Sequence, residues 1–100
     1  MQPGALLMPD DVVAQTFTTT RLRAGYDQDQ VDVLLDAVVA TMRGHLAGAP
    51  VSDPVQASDV ATVVFATKRW RDGYDMEEVD DLLDRVQATL AALERGERPS

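Results

Sequence analysis

A chain of 100 residues with no cysteine, and with seventeen acidic against nine basic side chains for a formal net charge of −8, already excludes several classes. Without thiols there are no disulfides, thiolate nucleophiles or zinc fingers, which fits a reducing cytoplasm, and the negative charge repels phosphate backbones at long range, which argues against nucleic acid as a partner. No run approaches the ~20 apolar residues of a spanning helix and the start lacks a basic leader, so the chain reads as neither exported nor transmembrane.

Residues 1–7 read as a flexible N-terminus. The segment from Pro9 to Gln15 forms a turn or two of helix, with proline near its start. Phe17 to Gly25 is rich in β-branched and polar residues and closes on glycine, which predicts an ordered loop rather than continued helix. Asp27-x-x-Gln30 then has the spacing of a capping box, in which the N-cap side chain takes the N3 amide and the N3 side chain reaches back. Tyr26, just before the cap, is placed to staple the incoming loop against Val31. In the long helix that follows, Val31, Leu35, Val38 and Met42 alternate at spacings of four and three, a heptad seam widened by Leu34 and flanked by Asp32 and Asp36. The glycines and prolines from Gly44 to Pro54 end this helix and make a linker. His45 sits near the helix end beside Arg43, where it stabilises terminal carbonyls; no nucleophile partners it.

Forty-eight positions later the whole pattern returns. Asp11-Val12, Phe17, Arg21-x-Arg23, Gly25-Tyr26-Asp27 and Val31-Asp32-x-Leu34-Leu35-Asp36-x-Val38 become Asp59-Val60, Phe65, Arg69-x-Arg71, Gly73-Tyr74-Asp75 and Val79-Asp80-x-Leu82-Leu83-Asp84-x-Val86. The second copy has its own short helix from Ser58 to Val64 with serine as cap, the box Asp75-x-x-Glu78, and the seam Val79, Leu83, Val86, Leu90 and Leu93. Two units, 8–46 and 57–95, are thus joined by a linker, 47–56, and followed by a tail, 96–100. Each is too small to hold a core alone without metal or disulfide, so the two share one. The expected fold is all-α, two short-helix, loop, long-helix repeats paired as a coiled-coil-like pseudo-dimer or dimer. A lone helix of about twenty residues is marginal in water, whereas each large apolar side chain buried contributes roughly 1.5–3 kcal/mol, so the seam requires a partner. Parallel pairing within one chain needs a return of about 30 Å, which eleven extended residues at ~3.3 Å each can span. Pairing between two chains is also permitted, but pairing within one chain, as a pseudo-symmetric mimic of a dimer, is the preferred expectation.

Trp70 among Lys68, Arg69 and Arg71 has the elements of a stacking platform for single strands. The cluster is small, its surroundings are acidic, and Trp70 aligns with Leu22, which favours a shared apolar role. Asp27, Asp29 and Asp32 suggest a calcium loop, but the glycine an EF-hand needs at its sixth position is missing, and capping accounts for Asp27. With no metal-ligand cluster, phosphate loop or paired-acid pocket in the sequence, the expectation is a protein without enzymatic activity or cofactor.

Phenylalanine, a loop of threonine and arginine, Gly-Tyr-Asp, an acidic pair, Val-Asp and Leu-Leu-Asp-x-Val, in that order in both copies, resembles the N-terminal domain of the bacterial DivIVA cell-division and polarity proteins. The likeness covers nearly the whole chain. Met8-Pro9-Asp10-Asp11-Val12, continuing through Gln15-Thr16-Phe17-Thr18, is similar to the family's usual opening and offers Met8 beside Met1 as a start. The resemblance implies parallel dimers whose loops cross at a tip and meet negatively curved membrane at poles and septa. Carried over to this chain, it makes Phe17 and Phe65 the inserting residues, Arg21, Arg23, Lys68, Arg69 and Arg71 their basic neighbours, and Gly25-Tyr26-Asp27 and Gly73-Tyr74-Asp75 the hinges from loop to helix. It implies a non-enzymatic scaffold or adaptor of division or polar growth, cytoplasmic and peripheral at the inner face of the membrane, pairing with itself or with a DivIVA-like protein and touching an anionic membrane surface. Two departures stand out: the family's long C-terminal coiled coil has no counterpart in these 100 residues, and the position before Gly-Tyr-Asp, commonly basic in the family, is Ala24 in one copy and Asp72 in the other. The alternative expectation is a soluble helical interaction module that pairs with a larger DivIVA-like partner without lipid contact; for Phe17 and Phe65 themselves, ordinary core packing is weighed against exposure at the tip.

Overall fold

The computed structural model of the chain describes residues 6–49 and 51–98. Residues 1–5, most of the expected flexible N-terminus, lie outside that range, as do Pro50 of the linker and residues 99–100 of the tail. In chain order the elements are α1 (Pro9–Val13), β1 (Thr19–Thr20), β2 (Gly25–Tyr26), α2 (Gln28–Ala47), α3 (Ala57–Thr62), β3 (Thr67–Lys68), β4 (Gly73–Tyr74) and α4 (Met76–Glu94). The expectation of an all-α fold is therefore corrected: among the described residues, four helices are joined by a four-stranded antiparallel sheet of order β1-β4-β2-β3.

That order explains why the strands escape a reading of either copy by itself. Every pairing crosses between copies: Thr20 lies opposite Gly73, Gly25 opposite Lys68, and Tyr26 opposite Tyr74. Strands of two residues carry no period to detect, and their hydrogen-bonding partners sit some fifty positions away in sequence. The threonines and the tyrosine favour extended backbone once a neighbour is present.

The short helices begin as their carboxylates direct. Asp11 accepts the Met8 backbone N–H at 2.8 Å and Asp59 accepts that of Gln56 at 2.9 Å. Ser58, expected as a cap, is inside α3, because Asp59 reaching back to Gln56 starts the helix earlier. Further along, α2 runs through Gly44 to Ala47 and ends on Gly48 in the left-handed conformation, φ 65°. Gly44 is thus a buried helix residue and not the start of the linker. A Cβ there would meet the Ala49 carbonyl oxygen at 2.9 Å, so its absence lets the linker backbone pass against the helix.

The core belongs to both copies. Of the predicted seam, Val31, Val38, Met42, Val79, Leu83, Val86, Leu90 and Leu93 are buried, and Leu35 is half-buried. The core extends beyond a two-helix seam, however. α1 packs on α2 and α3 on α4, adding Val12 and Val60, and Val39 and Leu82 are buried outside the heptad positions. Leu7, expected in the flexible lead-in, is buried too, and its backbone N–H donates to Thr89 Oγ1 at 3.1 Å. The equivalent hydroxyl, Thr41 Oγ1, accepts from the Val55 N–H at 2.9 Å. These two buried threonines tie the segment before each short helix to a long helix, and each satisfies a polar group that would otherwise be costly to bury.

Candidate functional site

The crossed end of the molecule is built around Gly-Tyr-Asp. A Cβ on Gly25 would lie 2.8 Å from Thr20 Cγ2 and 3.0 Å from the Tyr74 carbonyl oxygen, and one on Gly73 would lie 3.0 Å from the carbonyl carbon of Gly25. Only glycine permits the central strands to approach this closely. With the strands alternating in origin, the segment 21–24 must pass over β4 to reach β2, and 69–72 must pass over β2 to reach β4. The two crossing segments touch, with the Trp70 N–H donating to the Arg21 carbonyl at 2.8 Å.

Below the crossing, the capping boxes are completed between copies. Asp27 and Asp75 accept the N3 amides of Gln30 and Glu78 at 3.0 Å, as their spacing predicts. The N3 side chains do not return to their own caps. Glu78 takes the Thr18 backbone N–H at 2.7 Å and the Thr18 hydroxyl at 2.8 Å, while the Asp75 N–H donates to the Thr18 carbonyl at 2.9 Å. Ala66, the counterpart of Thr18, is held the same way: its N–H donates to Gln30 Oε1 at 2.7 Å and its carbonyl accepts from the Asp27 N–H at 2.9 Å. One residue of each loop is thus slotted into the helix start of the other copy.

The tyrosines cross over as well. Tyr26 donates its hydroxyl to Asp80 at 2.8 Å and stacks edge-on against Phe65, with ring centroids 5.2 Å apart. Tyr74 donates to Asp32 at 2.8 Å and packs on Phe17 at 5.0 Å. Beyond any stapling of its own helix, then, each tyrosine joins one copy to the other. Burial, followed by the acceptor carboxylate beside each hydroxyl, raises both phenols, Tyr74 to about 12. The carboxyl of Asp27 is lowered, first by the amide of Gln30 and then by Lys68.

The residues expected at the membrane separate into three groups. Phe65 is only 8 % exposed and Phe17 is half-buried, so neither phenylalanine is an exposed tip; both line the core beneath the sheet. Their placement is corrected by the tyrosines, which give each ring an aromatic partner. Arg23 and Lys68 clamp the opposite copies' N-caps, Arg23 to Asp75 at 2.7 Å and Lys68 to Asp27 at 3.3 Å. Arg21 pairs with Asp72 at 3.0 Å in the open, where such a pair contributes little and is screened by salt. Arg69 and Arg71 are exposed and make no salt bridge among the described residues.

At the centres of the crossing segments stand Leu22, 77 % exposed, and Trp70, 67 % exposed. Trp70 also holds φ 70°, a left-handed backbone that costs a bulky residue of order 1–3 kcal/mol. The alignment of Leu22 with Trp70 was the one sequence signal that linked these two positions. Asp32 and Asp27, weighed as calcium ligands, serve Tyr74 and the α2 cap, and among the described residues no group of three His, Cys, Asp or Glu side chains is arranged to hold a metal ion. None of the described helices is long and apolar enough to cross a membrane. Comparisons with protein-family models, with curated proteins and with solved structures each returned no match.

Proposed function

We propose that the chain is a non-enzymatic scaffold or adaptor that docks on an anionic membrane surface through its crossed loops, with Leu22 and Trp70 as the inserting side chains and Arg21, Arg69 and Arg71 facing the headgroups. The observation that carries this reading is an exposed tryptophan, held in a strained backbone, beside an exposed leucine. Five of the chain's nine basic side chains lie near them: Arg21, Arg23 and Lys68 are paired with Asp72, Asp75 and Asp27, and Arg69 and Arg71 make no salt bridge among the described residues. A molecule of net charge −8 that concentrates its cations at one end is oriented by an anionic surface instead of being repelled uniformly. Burying two apolar side chains contributes roughly 1.5–3 kcal/mol each, and each free arginine about 1 kcal/mol near an anionic leaflet. Single molecules then bind weakly, and firm attachment needs several tips on one assembly. A role in bacterial division or polar growth rests on the likeness of both repeats to the DivIVA N-terminal domain.

Trp70 is the only tryptophan, so the chain reports its own insertion. Vesicles containing phosphatidylglycerol should shift its emission to the blue and pellet the protein, whereas phosphatidylcholine vesicles should do neither. Arg69→Ala with Arg71→Ala should abolish the difference between the lipids, and Leu22→Ala should reduce pelleting. An emission maximum unmoved by anionic vesicles refutes the membrane reading.

A further inference from the structure

We propose that the groove between α2 and the segment leading into β3 is a docking site for a basic amphipathic helix of a partner protein. It has a volume of about 470 Å³ and is lined by Val33, Leu34, Ala37, Val63, Val64 and Phe65, with Asp29 and Gln30 as its polar edge. Val64 is 88 % exposed and Val33 68 % exposed.

The duplicated fold contains its own control. At the matching positions of the other copy, Val33 is replaced by Asp81, Ala37 by Arg85, Val63 by Gln15 and Val64 by Thr16. Leu34 and Phe65 keep apolar counterparts in Leu82 and Phe17, because those positions serve the shared core. The same backbone is therefore built with a polar flank on one side and an apolar flank on the other, and the fold does not require the valines. Two exposed valines grouped with Leu34, Ala37 and Phe65 in one groove, where folding does not need them, make an apolar surface suited to a partner.

Charge selects the occupant. Gln30 is already committed to Ala66, which leaves Asp29 as the charged group at the edge of this groove. Among the described residues, no basic side chain lines the groove. A second copy would bring another charge of −8 against the first. A helix with leucines at i and i+3 or i+4 and lysines or arginines beside them fills the apolar floor and neutralises the rim. None of the tip residues lines this groove, so the inference stands whether or not the tip meets lipid.

The test uses the full chain and a fluorescein-labelled synthetic helix of about 18 residues made of leucine and lysine in amphipathic order, followed by anisotropy at about 0.15 M salt to screen diffuse attraction. The variant Val33→Asp with Val64→Thr installs the residues of the other copy and adds negative charge. Its circular dichroism should match the wild type, since both positions are exposed. The wild type should bind the leucine–lysine helix saturably, the variant should bind it at least roughly tenfold more weakly, and a leucine–glutamate helix should bind neither. Variant binding as tight as wild type overturns the proposal, because plain charge attraction would be strengthened by the added aspartate. Absence of saturable wild-type binding overturns it, as does equal binding of the glutamate helix. If sedimentation velocity shows a wild-type dimer that the variant dissolves, the occupant is a second copy and the proposal also fails.

Discussion

Replacing Gly25 by alanine tests the crossing at its tightest point. The new methyl would sit 2.8 Å from Thr20 Cγ2, 3.0 Å from the Tyr74 carbonyl oxygen and 3.1 Å from the Gly73 carbonyl carbon, so it meets atoms of both copies at once. Overpacking of this kind typically costs 1–3 kcal/mol, and the loss of glycine's freedom in the unfolded chain offsets about 0.4–1 kcal/mol of it. The net destabilisation is roughly 1–2 kcal/mol, which for a chain of this size lowers Tm by about 4–16 °C. Differential scanning calorimetry of the wild type, Gly25→Ala, Thr20→Ser and the double variant separates the contacts. Removing the Thr20 methyl should recover part of the loss by relieving the closest clash, while Gly73→Ala, whose three nearest atoms are all backbone of Gly25 and Tyr26, should gain nothing from Thr20→Ser. A Gly25→Ala protein that melts with the wild type would show that the strands do not approach as described, and the interleaved sheet would fall with it.

Other consequences are open to simpler measurements. Glu78→Ala should lower stability by about 1–2 kcal/mol in urea unfolding and expose the Thr18 amide to faster hydrogen exchange, whereas Gln30→Ala, which loses one neutral hydrogen bond to Ala66, should cost less. Leu90→Ala removes a fully buried side chain from the shared core and should cost about 2–5 kcal/mol, read as an unchanged urea m-value with a lower midpoint. Both phenols are raised in the folded state, so their contribution to stability is complete below pH 10 and is lost above it as each ionises, Tyr74 at about 12 against Asp32. Absorbance of tyrosinate should therefore appear late in the native protein and near pH 10 in urea. Asp27 behaves oppositely: its carboxyl is lowered, so the capping contribution is present above 3.8 and is lost as pH falls through the lower folded value, which carboxyl NMR shifts against pH should display.

Several features were legible in the residues themselves because each depends on neighbours within a turn or two of chain. The repeat, the long helices with their buried valines and leucines, and the N-cap roles of Asp27 and Asp75 come from periodicity and from spacings of three and four. The resemblance implied hinges at Gly25 and Gly73, but the reason for glycine there is backbone of the other copy that an added Cβ would meet at about 3 Å. Only the tertiary structure decided what pairs with what. The capping partners of Gln30 and Glu78, the acceptors for Tyr26 and Tyr74, and every strand pairing lie in the opposite repeat, at separations where no local pattern constrains them. The same exchange sends Phe17 and Phe65 inward to meet those tyrosines and leaves Leu22 and Trp70 outside. Short-range chemistry in this chain specifies two similar units, and their interpenetration, which requires both units to be present at once, determines which side chains remain available to a partner.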